Sequence, residues 1–93
     1  MVIGLLRVRL RLHEAASLKE KRGVVKPLLA RMRKDHNVAV AEVDDQDIWR
    51  SAVLAVVAVS AGRDPVENIL RGVAKELGES PLFDLVEEQM ELL

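Results

Sequence analysis

The sequence predicts an α+β fold, with two helices packed on one face of a four-stranded antiparallel sheet and the elements in the order βαββαβ. Three observations carry that expectation. Residues 2–12, VIGLLRVRLRL, alternate with period two, as a half-buried strand does. Two capping signals, Ser17 with Glu20 and Asp64 with Glu67, each precede apolar residues at helical spacing. Three further β-rich runs, at 37–43, 50–60 and 82–92, supply the remaining strands.

In the first strand Leu6, Val8, Leu10 and Leu12 share one face, and Arg7, Arg9 and Arg11 share the other. The first helix is expected from Leu18 to about Asp35, with Ser17 as N-cap. At about 100° per residue, Leu18, Val25, Leu28, Leu29 and Met32 fall in one arc, the core face. Pro27 removes the hydrogen bond to Gly23 and is expected to bend the helix around the core, since both lie on its outer side. NVAVAEV at 37–43 reads as a second strand, followed by a turn at DDQD, 44–47. Residues 50–60 are apolar on both alternating sets, so that strand is expected to be covered on both faces. The second helix is expected to start with Asp64 as cap and Pro65 at the first helical position. It buries Val66, Ile69, Leu70, Val73 and Leu77, and ends at Gly78. Right-handed crossovers then give one ferredoxin-like domain over 1–93, with strand order 4-1-3-2.

Composition narrows function by exclusion. With no cysteine there is no disulfide, thiol catalysis or iron–sulfur ligation. The longest apolar run, AVLAVVAVSA at 52–61, is too short to span a bilayer, and the first residues lack a secretory apolar region. A cytoplasmic protein is expected, with no membrane partner. No P-loop or dinucleotide fingerprint is present, and no cofactor is expected. His13 and Ser17 bracket one loop, but no third orienting group accompanies them, so no catalytic site is expected. Glu42, Asp44, Asp45 and Asp47 cluster near the turn without the closing glutamate of an EF-hand; a polar turn is the ordinary reason for such residues.

Charge is unevenly distributed. Residues 1–36 carry ten Lys/Arg against three acids, and residues 37–93 carry four against twelve. Either a polyanion-binding side or mutual neutralisation of the halves accounts for this. The arginine ladder at 7, 9 and 11 faces strand four, where Glu87, Gln89 and Glu91 offer cross-strand partners. The first helix is different. Lys19, Arg22, Lys26 and Arg33 lie within an arc of roughly 60° beside the core face, with no acid among them. Lys21 falls on the opposite flank, where it must snorkel or find an acid. Four aligned cations repel one another and oppose the helix dipole, and an external polyanion would explain them. With Trp49 and Phe83 as the only aromatics, binding through phosphates and duplex shape is expected rather than base stacking, and Trp49 is expected as a core or interface anchor. On the sheet, Leu54 and Val56 are expected on the open face with Arg7 and Arg9, where a second copy, loops or long arginine side chains would cover them.

The segments Ser17-Leu18-Lys19-Glu20-Lys21-Arg22 and Asn37 to Trp49, with His13 ending the first strand, resemble the YlxP-like family of small bacterial proteins. The resemblance covers essentially the whole chain. Pro27 and the second-helix sequence depart from the family pattern as local variation. It implies a ferredoxin-like fold and no established activity. Genes of that family commonly lie beside translation-initiation and ribosome-maturation genes, which implies a ribosomal RNA or ribosome-assembly partner by association. The expectation is therefore a non-enzymatic accessory protein of translation. It would touch structured RNA phosphates through Lys19, Arg22, Lys26 and Arg33, with Lys21 and His13 alongside. The alternative is a homodimeric interaction module whose basic stripe docks an acidic protein.

Overall fold

The computed structural model describes all 93 residues and holds six elements: β1 (Val2–Leu12), α1 (Leu18–Asp35), β2 (Ala39–Asp44), β3 (Ser51–Ser60), α2 (Arg63–Gly78) and β4 (Phe83–Leu92). α1 starts where its capping box places it. The Ser17 hydroxyl accepts the Glu20 N–H at 3.1 Å, and the Glu20 carboxylate reaches back to the Ala16 N–H at 2.5 Å. The helix continues unbroken through Pro27, and Gly23 and Pro27 are both exposed, so the carbonyl that proline leaves free faces water. At its end the His36 N–H closes on the Met32 carbonyl at 3.0 Å.

α2 ends at Gly78 as expected and departs from expectation at its start. Its N-cap is Gly62, without a side-chain cap bond, and Asp64 lies inside the first turn. Glu67 does not reach back to a cap because Arg63, at 2.8 Å, and Arg71, at 3.3 Å, hold its carboxylate. Pro65 is still tolerated, since a first-turn residue needs no N–H partner. Gly78 is the last helical residue and has no positive φ, so no left-handed glycine ends the helix.

The four strands form one antiparallel sheet in the order β2-β3-β1-β4, the expected 4-1-3-2 read from the other edge. Residues paired across antiparallel strands share a face, and this corrects one expectation. Val8 pairs with Leu54, and Leu6 with Val56, so both β3 residues point with β1's core set towards the helices. Leu54 and Val56 are fully buried there and do not belong to an open face. The other set, Val53, Ala55, Val57 and Val59, faces away from the helices beside Arg7 and Arg9; Val53 is buried there, and Val57 and Val59 are exposed.

The core holds nineteen buried residues from all six elements and the loop residue Ala15. α2 approaches β1 so closely that a Cβ on Gly4 would collide with Val66 Cγ1 and lie 2.8 Å from Leu70 Cδ1. Two register shifts mark the sheet. One, between Arg9 and Leu10, turns Leu85 towards the core and sets Asp84 opposite Arg11. The other lies between Glu42 and Asp44.

Candidate anion-binding face of the first helix

The arginine ladder on the open face is neutralised from within. Arg7 lies 3.9 Å from Asp44, and Arg11 lies 3.0 Å from Asp84. Arg9 bridges Asp45 and Glu87, the latter at 3.3 Å. The Ser51 hydroxyl donates to Asp45 at 2.6 Å, and this bond, with the Arg9 charge, holds the Asp45 carboxyl below its ordinary range. Asp45 also has the one positive φ in the chain, 58°, at the tight corner that ends β2.

His13 does not stand free to meet a phosphate. Its Nδ1 lies 3.0 Å from the Pro81 carbonyl and its Nε2 lies 3.0 Å from Asp84. Both bonds are satisfied by the doubly protonated ring. Asp84 accordingly raises the His13 pKa, and His13, then Arg11, lowers that of Asp84.

Lys21 also leaves the expected anion-binding set. Its side chain is 2% exposed, with Nζ 2.8 Å from Glu42 Oε2 and donating to the Asp45 carbonyl. The approach to Glu42 is an ion pair off the hydrogen-bond direction, so that buried oxygen has a cation beside it but no aligned donor. Position on the flank of the apolar arc decides this. A lysine there is carried under the β2–β3 loop, where only a paired ammonium is stable. Asp45 thereby fastens the loop twice, by its carbonyl to α1 and by its carboxylate to β1. The acids of the turn diverge: Glu42 faces Lys21, Asp44 faces Arg7 and Asp45 faces Arg9. No three acidic or histidine side chains gather as a cation site.

A specific subset of cations remains. Lys19, Arg22, Lys26, Arg33 and Lys34 are exposed on α1, and none has a carboxylate within 4.0 Å. Arg33 donates to the Val40 carbonyl at 2.9 Å, a neutral partner. Arg31, by contrast, lies 3.7 Å from Glu76, which also takes His36 at 2.6 Å. Arg22 and Lys26 flank a cleft of about 290 Å³ between α1 and the β2–β3 loop, with Gln46 and Asp47 opposite them and the Lys21–Glu42 pair in its lining.

Trp49 is neither in the core nor on the open sheet face. It is 52% exposed on the β2–β3 loop, as is Ile48. The two line a second hollow with Ala15, Ala16, Asp47 and Arg50, just before the start of α1. The Arg50 Nε donates to the Ala15 carbonyl at 3.3 Å, holding the loop against that segment. A tryptophan next to a polar turn carried the signal for this exposure. On the open face itself, Ala39, Ala41, Val57 and Val59 are exposed together.

A family model described as "Protein of unknown function (DUF503)" matches residues 3–90. The chain is also 34% identical over 80 residues to "Uncharacterized protein YlxP" of Bacillus subtilis (strain 168), covering 86% of this chain and 87% of that protein. No helix is long and apolar enough to cross a membrane.

Proposed function

The chain belongs to this family of proteins of unknown function, and from that premise we propose a non-enzymatic, cytoplasmic accessory protein of translation that holds structured RNA by its phosphates along α1. One observation carries the reading. The fold supplies carboxylates for the cations of the sheet face and for Lys21 and Arg31, and supplies none for Lys19, Arg22, Lys26, Arg33 and Lys34. Mutual neutralisation of the basic and acidic halves therefore accounts for the ladder, Lys21 and Arg31, and not for these five helix cations. Unpaired cations along about four turns of helix suit a phosphate backbone, whose charges recur at comparable spacing. The resemblance to YlxP-like proteins adds the setting, ribosomal RNA or ribosome-assembly factors.

The test is RNA affinity against salt concentration. Each phosphate neutralised contributes about −0.7 to −0.9 to the logarithmic slope, so replacing Lys19, Arg22 and Lys26 by glutamine should flatten it by about 2 to 3. A slope that stays the same removes the helix from the reading.

A second reading has its own observation, the exposed apolar group Ala39, Ala41, Val57 and Val59. It is a homodimer joined through that half of the open face, with α1 docking an acidic protein. Sedimentation separates the two readings: an apolar contact persists in high salt, and Val57→Lys should dissolve it.

A further inference from the structure

We propose that Trp49, with Arg50 beside it, is a stacking platform for one unpaired nucleobase of the RNA held by α1. The inference rests on the phosphate-binding reading above and narrows its ligand from structured RNA in general to RNA with a loop, bulge or free end. Trp49 is the only tryptophan in the chain, and about half of its surface is open to solvent. Phe83, the other aromatic, is buried in the core, so one base is the most that aromatic stacking can hold.

The position of Trp49 links it to the unpaired cations. Asp47 lines both the Trp49 hollow and the cleft of Arg22 and Lys26, so the two depressions adjoin across one residue. The loop between them is tied down at Lys21 and at Ala15, which fixes the indole relative to the helix. Arg50 lines the same hollow, is exposed and has no carboxylate within 4.0 Å. A protein interface would also use an exposed Trp–Ile pair. Here, however, the apolar surface is small and unpaired cations lie next to it, which suits a ligand that is a planar π-face joined to a negative backbone. Asp47 opposes that ligand: it has no internal cation and lies between the hollow and the stripe. Asp47→Asn should therefore tighten binding.

The experiment compares a hairpin RNA carrying an unpaired loop with a fully paired RNA of the same stem and uses intrinsic tryptophan emission, which reports Trp49 alone. The hairpin should quench that emission and the paired stem should bind without quenching. Trp49→Ala should weaken hairpin binding roughly 5- to 150-fold, the value of one base–aromatic stack, and leave stem binding unchanged. Trp49→Phe should restore most of the loss. An unchanged melting temperature for Trp49→Ala confirms that the loss is not one of folding. Equal hairpin binding by wild type and Trp49→Ala, without quenching, overturns the platform and leaves the helix reading intact. Emission that changes with protein concentration alone makes Trp49 a contact between copies and also overturns it. Failure to bind either RNA, or binding indifferent to salt, overturns the helix reading and the platform with it.

Discussion

Removing one partner of the buried Lys21–Glu42 pair is the sharpest test of how the β2–β3 loop is held. Glu42→Gln leaves an ammonium that is 2% exposed beside a neutral amide and the Asp45 carbonyl. An uncompensated charge of that kind costs about 3–5 kcal/mol. In a domain of this size, where 1 kcal/mol moves the melting temperature by about 4–8 °C, the drop should be roughly 12–40 °C. Lys21→Met keeps the apolar stem and strands a carboxylate that is 19% exposed and can turn towards water. Its cost should be smaller, about 1–3 kcal/mol. The double variant Lys21→Met with Glu42→Leu replaces the pair by apolar groups and should recover most of the loss. Urea denaturation of wild type, Lys21→Met, Glu42→Leu and the double variant closes a double-mutant cycle and gives the coupling directly. Additive single effects, each below about 0.5 kcal/mol, would refute the buried pair. The salt slope of RNA binding should not change in Lys21→Met, because a buried ammonium meets no phosphate.

Other consequences follow from particular contacts. His13, whose pKa is raised by Asp84, stabilises the fold fully below its unfolded value of about 6.5 and loses that contribution as pH rises through its folded value. Asp84, lowered by His13 and then Arg11, contributes above about 3.8 and loses it as pH falls through its folded value. The melting difference between wild type and His13→Asn should therefore peak at mildly acidic pH and shrink on either side; a flat difference counts against the pair. Asp84→Asn should lower the His13 titration midpoint measured by NMR, and an unmoved midpoint would detach the two groups. Gly4→Ala should destabilise by about 1–3 kcal/mol through overpacking against Val66 and Leu70. Gly23→Ala meets nothing within 4 Å inside a helix and should stabilise by about 0.5–1 kcal/mol, so the opposite sign in either denaturation curve would break the packing account.

Much of this architecture is legible in local pattern. The period-two run of β1, the Ser17–Glu20 box and the apolar arc of α1 are all short-range signals. The structure follows them to Val2–Leu12 and Leu18–Asp35. The start of α2 misled because Asp64 and Glu67 have the spacing of a box while Arg63 and Arg71 compete for the glutamate. Leu54 and Val56 were assignable to the core once β3 was paired with β1, but the pairing register is a long-range fact.

The chain's own pattern determined the element order, the core stripe of each helix and the basic stripe of α1, because each depends on spacing within a few residues. Tertiary structure alone decided which cations are neutralised. Lys19, Lys21 and Arg22 are neighbours in sequence, yet Lys21 lies under the β2–β3 loop against Glu42 while the other two face solvent. The physical reason is that Coulomb energy depends on distance in space and on burial, and neither is written in the order of residues.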